Sequence, residues 1–381
     1  MKILQTPVRF YPFIGGVENY VYYLGKEQIE LGNEVKVVCA GEPVGLKDRE
    51  IVDGIEVRRL NYFKKIANTN VTPGLPLRLL SEDFDILHTH LPTPWSADWS
   101  ALVSKIKKKP LVLTYHNDIV GGGFASYIAK TYNHTLLKYL LKRADKIIIT
   151  QKKYLSTSSY LGGYEDKVKV IPVGVDTERF KPLGVEKEEK TLFFLSLLDE
   201  FHMYKGLDHL IKALKVVKSE IPDVRLIVGG KGNLMAYYRE MSESLDLKDV
   251  VEYAGFIPDE EMVRYYNRCD AFVLPSISSE QEGFGIVLLE AMASGKPVIA
   301  TDIVGVAEDV KKRDAGRIVG PGDEKALAGA IIEILEDEDL MKRMGTDGRR
   351  LVEEKYTWKR VAEMTQKVYN DVTSRREREV N

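Results

Sequence analysis

Apolar positions along this chain follow two alternating rhythms, and the alternation predicts the fold class. Short β-branched runs open with Ile3-Leu4 and recur as VKVVCA (35–40), IEVRRL (55–60), DILHTH (85–90), LVLTYH (111–116), KIIIT (146–150) and KVKVIP (167–172). Each is too short for a buried helix and rich in Val and Ile, which favours strands. Between the first two, Val17, Tyr20, Val21, Leu24 and Leu31 fall mostly at helical spacing, and Gly32-Asn33 closes that helix as a C-cap pair. Strands alternating with helices predict an α/β fold, a parallel sheet with helices on both faces.

The rhythm then restarts. The Pro- and Gly-rich stretch PVGVDTERFKPLG (172–184) and the charged run VEKEEK (185–190) read as a linker. Beyond it come TLFFLS (191–196), a helix through LDHLIKALKVVKSE (207–220), VRLIVGG (224–230), VVEYAG (250–255), DAFVLP (270–275), a helix over GIVLLEAMAS (285–294) and PVIATD (297–302). Two doubly wound, Rossmann-like domains in tandem are expected, over residues 1–175 and 176–357. Such sheets bind ligands at the carboxyl ends of their strands where strand order reverses. Two of them facing each other would form a cleft.

A length of 381 residues agrees with two cores rather than one. The net charge of -2 conceals an asymmetry: residues 1–175 carry 24 Lys+Arg against 17 Asp+Glu, and residues 176–381 carry 31 against 40. The basic first half fits an anionic partner, or ordinary drift of surface charge. Cys39 and Cys269 have no metal-ligand spacing around them and read as buried, reduced thiols. The first ten residues read as a strand rather than a signal peptide, and no run approaches the ~20 apolar residues of a membrane span. A cytoplasmic protein is expected, with no nucleic-acid partner.

The candidate chemistry lies in loops after strands. Gly15-Gly16-Val17-Glu18 joins the first strand to the first helix, where glycines admit a close ligand and the helix N-terminus attracts phosphate; a ligand-free tight turn is the plain alternative. The stronger constellation runs from Glu282 through Gly-Phe-Gly to Glu290. A helix beginning near Gly285 would aim the N–H groups of Phe284, Gly285, Ile286 and Val287 at a phosphate or sugar oxygen. Glu290, one turn onward, could accept from ribose hydroxyls, and Glu282 in the preceding loop would face the transferred sugar. Of the histidines, His88 and His90 alternate onto one face of their strand and His116 follows the next strand. Asp83-Phe84-Asp85 imitates a D-x-D metal motif but precedes its strand, so it reads as a turn. No metal-ligating set is evident.

These motifs resemble those of the family-four retaining glycosyltransferases, whose GT-B fold pairs two Rossmann-like domains. The family's E-x7-E motif matches Glu282 and Glu290; GGVE, DILHTH, TYHND, VIPVGVDTERFKP and KGLDHLIKA (205–213) match further segments in order along most of the chain. The resemblance implies that His116 lies beside the donor sugar and that Lys205 contacts the donor phosphates. It implies a donor-binding second domain, an acceptor-binding first domain, and a C-terminal helix (358–381) that crosses back onto the first. The activity implied is metal-independent, retaining transfer of a hexose from a UDP- or GDP-sugar, without a cofactor, to a glycan, lipid-linked or small-molecule acceptor. One departure stands out. Where the family carries Gly-Arg-Leu with a phosphate-binding arginine, this chain has Ser196-Leu197-Leu198, and His202 is a candidate substitute. A nucleotide-sugar epimerase and a non-catalytic nucleotide-sugar-binding protein are the alternatives. The segment 126–146 carries Lys130, Lys138, Lys142, Arg143 and Lys146 among apolar residues. It reads either as a core-packed helix or as one that touches an anionic membrane at its inner face.

Overall fold

The apolar runs become the central strands of two parallel sheets. In the computed structural model, residues 1–13, 15–66, 68–119, 124–185, 190–279 and 281–380 are described. They form two units: Met1–Val173 with Trp358–Asn381, and Gly174–Thr357.

The first unit begins β1 (Lys2–Thr6), α1 (Gly16–Glu30), β2 (Glu34–Ala40), β3 (Arg49–Val52), β4 (Ile55–Leu60), β5 (Lys64–Ile66) and β6 (Thr69–Val71). It continues α2 (Leu75–Ser81), β7 (Ile86–Leu91), α3 (Pro94–Ile106), β8 (Leu111–Tyr115), α4 (Phe124–His134), α5 (Leu136–Arg143), β9 (Lys146–Ile149), α6 (Tyr154–Thr157) and β10 (Val168–Val170). The sheet order is β10-β9-β8-β7-β1-β2-β4-β3, parallel except for β3 against β4. Order reverses around β1, so the loops after β1 and β7 open at the switch point. Every residue of β7 and β8 is buried, which is why β8 reads as a nearly continuous apolar run, and in β7 the burial extends to His88, Thr89 and His90.

The second unit runs β11 (Thr191–Leu195), α7 (Leu207–Glu220), β12 (Arg225–Gly229), α8 (Met235–Ser244), β13 (Val251–Gly255), α9 (Met262–Arg268) and β14 (Ala271–Leu274). Then follow α10 (Ile286–Ala293), β15 (Val298–Thr301), α11 (Ala307–Arg313), β16 (Gly316–Val319), α12 (Glu324–Glu336) and α13 (Glu338–Lys355). Its sheet, β13-β12-β11-β14-β15-β16, is parallel throughout and reverses between β11 and β14.

The last helix, α14 (Trp358–Val380), packs on α1 of the first unit. Val361, Ala362, Val368, Tyr369 and Val372 are buried there, and Gln28 Nε2 donates to the Ala362 carbonyl at 3.1 Å. Trp358 stacks on Tyr23 with centroids 5.4 Å apart.

Three features differ from the sequence reading. The stretch 172–184 is not a free linker: Phe180 is buried, and one guanidinium nitrogen of Arg349 donates to the carbonyls of Thr177, Phe180 and Ala293. Residues 186–189 of the charged run lie outside the described residues. The basic segment 126–146 is two helices broken at Thr135; in α5, Leu137, Leu140 and Leu141 are buried in the core while Leu136 and Tyr139 are exposed; the side chains of Ser126 and Ile128 lie outside the described ones. Strands β3, β5, β6 and β16 are additions. Asp83 and Asp85 lie in the connection from α2 to β7, with a bend at Asp85, and accept from the Lys2 ammonium at 2.6 Å and the Lys2 amide at 2.7 Å. Cys39 and Cys269 are buried free thiols. Among the described residues, no helix is long and apolar enough to cross a membrane.

Candidate active site

In the second unit the loops after β11 and β14 meet where strand order reverses. The first holds a short 3-10 helix, Glu200–Lys205, capped by Asp199 and closed by Gly206 in the left-handed region at φ +77°. A Cβ on Gly206 would fall 2.1 Å from the Pro275 carbonyl oxygen. Glycine is therefore required for this loop to cross the end of β14. The crossing brings the Lys205 ammonium to 3.0 and 2.9 Å from Glu282 Oε1 and Oε2. Ser276 Oγ donates to the same carboxylate at 2.5 Å. The Glu282 side chain is only 2% exposed. Lys205 is thus no isolated cation; a buried carboxylate already holds it.

Immediately beyond, Gly285 (φ +83°) caps α10. The helix starts at Ile286, so the Ile286 and Val287 N–H groups have no acceptor within it. Phe284 sits ahead of the cap with its ring packed on Tyr356, centroids 5.7 Å apart. Glu290 lies one turn in, half-buried, and accepts from Tyr266 Oη at 2.6 Å. Burial pushes its carboxyl up to about 7, against the opposing pull of the Tyr266 hydroxyl and Arg179. Tyr266 is itself fixed among Phe180, Phe193 and Phe272, with centroids 5.8, 5.3 and 5.4 Å away. His202, the candidate substitute for the absent arginine, is engaged by Asp199 at 2.7 Å. Leu197 at the arginine's position is about half exposed.

In the first unit Gly15 is the extended N-cap of α1. A Cβ there would fall 2.4 Å from Glu18 Oε2. Gly15 thus makes room for Glu18, which is buried against Arg9 at 3.2 Å. Gly16 has nothing within 4 Å of where a Cβ would stand, so the helix end is open to approach. His116 follows β8, its amide donating to the Leu91 carbonyl at 3.3 Å and its ring meeting Tyr20 edge-on at 4.9 Å. Burial pushes the His116 imidazole down to about 4, so it is neutral near pH 7. Among the described residues no group of three or more His, Cys, Asp or Glu is placed to hold a metal.

Ser276 and Tyr266 escaped sequence reasoning. A serine after a strand and a tyrosine inside a short helix carry no pattern; only their contacts with Glu282 and Glu290 mark them.

Paired carboxylates around a glycine-capped helix, with a lysine at the switch point, suit recognition of a sugar diphosphate. Comparison with known proteins settles the class: this is a nucleotide-sugar-dependent glycosyltransferase of GT-B fold. Residues 14–179 match Glycosyltransferase Family 4 and residues 175–351 match Glycosyl transferases group 1, and the chain belongs to the family-four retaining glycosyltransferases. Phosphatidyl-myo-inositol mannosyltransferase of Mycolicibacterium smegmatis is 30% identical over 94% of this chain and 91% of its own. O-antigen chain mannosyltransferase C of Escherichia coli is 29% identical over 94% and 95%. Among solved structures, sucrose-phosphate synthase from Thermosynechococcus elongatus superposes with a TM-score of 0.75 at 23% identity, covering 98% of this chain and 99% of that one. Anabaena HepE in complex with UDP gives 0.76 at 21%, covering 97% and 100%. These matches give no support to the epimerase or binding-only alternatives.

Proposed function

We propose that the second unit binds a UDP- or GDP-hexose and that the first unit binds a glycan or lipid-linked acceptor. The observation that carries this is the Lys205–Glu282–Ser276 cluster directly ahead of the open N-terminus of α10. In this reading Lys205 and the Ile286 and Val287 N–H groups take the diphosphate and offset the charge that develops on it as the glycosidic bond breaks. Glu290 accepts from the ribose hydroxyls. Glu282, held by Lys205 and Ser276, presents the remaining lone pair of Oε1 to the transferred sugar, and His116 is a further sugar contact. Gly15 and Gly16 leave the N-terminus of α1 accessible to a donor oxygen. Configuration is retained by attack on the face the diphosphate leaves. The positive charge comes from protein groups, so no metal is needed.

The names of the mannosyltransferase relatives support a hexose as the transferred group, and the UDP and UDP-glucose complexes of HepE support a nucleoside-diphosphate donor. A lipid-linked acceptor would bring the protein to the inner face of a membrane. Exposed Lys130, Lys138 and Lys142 beside exposed Tyr127, Leu136 and Tyr139 suit such contact. A thermal-shift and hydrolysis screen over UDP-, GDP- and ADP-sugars, with and without EDTA, tests the reading. Stabilisation by one nucleotide-sugar that survives EDTA is expected, and no response to any of them would overturn it.

A further inference from the structure

Three imidazoles stand in a row in the first unit, and the proposed function uses only one, His116. His88 and His90 are fully buried on β7, their ring centroids 4.5 Å apart. His90 Nε2 lies 2.8 Å from Gln5 Oε1, and His90 Nδ1 lies 3.4 Å from His116 Nε2. On the other side, His88 Nδ1 is 2.6 Å from Tyr369 Oη and His88 Nε2 is 2.7 Å from Thr114 Oγ1. Gln5 Nε2 reaches His88 Nδ1 and Tyr369 Oη, both at 3.3 Å.

Donor and acceptor chemistry orders the protons through this row. An amide oxygen only accepts, so His90 donates to Gln5 through Nε2–H. A second proton would make His90 a cation sealed from water between His88 and His116; burial first, and then those neighbours, hold it neutral. Its Nδ1 is therefore bare, and His116 donates to it through Nε2–H. His116 is neutral as well, so its own Nδ1 carries a lone pair. No hydrogen bond from the described residues occupies that lone pair. The opposite orientation of the Gln5 amide would reverse each step and place the proton on His116 Nδ1. In the orientation here the amide nitrogen donates to the Tyr369 oxygen, and Tyr369 O–H in turn donates to the single lone pair of His88 Nδ1.

We infer that Gln5 and His90 are positioning residues that lock His116 in the tautomer protonated at Nε2, leaving Nδ1 to accept from a sugar hydroxyl. The purpose assigned to the lock rests on the reading of His116 as a sugar contact; the lock itself does not. A buried partner that fixes a tautomer acts without touching substrate, as second-sphere groups do at other histidine sites.

The test is a long-range ¹⁵N–¹H spectrum of the full chain labelled at histidine, without ligand, with His116 assigned from the signals lost in His116→Gln. The expected result is a pyridine-type Nδ1 and a pyrrole-type Nε2 for His116. The reverse pattern, or two nitrogens averaged between forms, would overturn the lock. His90→Phe keeps a ring but removes the acceptor. It should average the His116 nitrogens and lower kcat/KM roughly tenfold, about the weight of one hydrogen bond. An unchanged His116 spectrum in that variant would also overturn the lock. If the tautomer is as inferred while His116→Asn and His116→Gln keep wild-type kcat/KM, the lock stands and the sugar-contact reading of His116 fails instead.

Discussion

The ammonium of Lys205 grips both oxygens of Glu282, at 3.0 and 2.9 Å, across 77 residues of sequence. The pair ties the loop after β11 to the loop after β14, and both loops belong to the candidate donor site. Removing one partner strands the other, because Glu282 is almost wholly buried. Lys205→Ala should therefore destabilise the second unit by about 3–5 kcal/mol, whereas Lys205→Met/Glu282→Gln should cost much less. Urea unfolding of the two variants measures this. Equal stability of Lys205→Ala and wild type would show that the pair is not held as described.

The two glutamates should fail differently. Glu290→Ala should raise the donor KM by roughly 10–100-fold, corresponding to loss of hydrogen bonds to a charged acceptor. Glu282→Ala should chiefly lower kcat, because in the proposed reading it faces the reacting sugar. Steady-state kinetics on both separates the effects. Equal losses confined to KM in both variants would contradict the division of roles.

Glu290 gives a pH dependence with a definite sign. Its carboxyl is raised from 4.5 to about 7 in the fold, so the folded state keeps a proton that the unfolded chain releases. Its contribution to stability is therefore greatest below about 4.5, falls by on the order of 2–3 kcal/mol towards pH 7, and is flat above. Donor affinity should move the other way, improving as pH rises through about 7, since the ionised carboxylate is the stronger acceptor for ribose hydroxyls. Tyr266→Phe removes an O–H that favours the ionised form and should shift the midpoint upward. Donor KM against pH for wild type and Tyr266→Phe checks both directions.

Much of the sheet architecture was legible because buried parallel strands are written as apolar runs. VKVVCA and LVLTYH could be read without tertiary information. The separate two-stranded β5–β6 sheet was not legible: β5 is Lys-Lys-Ile and β6 is Thr-Asn-Val, three residues each with no apolar repeat. The Gly-Phe-Gly motif located Gly285 but not its physical reason, a left-handed helix cap, and nothing in the sequence singled out Gly206, where a carbonyl oxygen stands against the missing side chain. Gly15 turned out to clear space for Glu18. The pairing of Lys205 with Glu282 was invisible, because no sequence period links residues that far apart. Composition likewise could not reveal that α5 buries Leu137, Leu140 and Leu141 in the core and leaves Leu136 exposed.

In the proposed reading Lys205, positioned by Glu282, and the start of α10 hold the diphosphate of the donor. The direct measurement is calorimetric titration of UDP and GDP into wild type and into Lys205→Met/Glu282→Gln, the variant that removes the cation without stranding a buried charge. Saturable binding of at least one nucleoside diphosphate by wild type is expected, weakened about tenfold or more in the variant, the weight of one charge-assisted contact. Undiminished affinity in the variant, or no binding of either nucleotide to wild type, would contradict it.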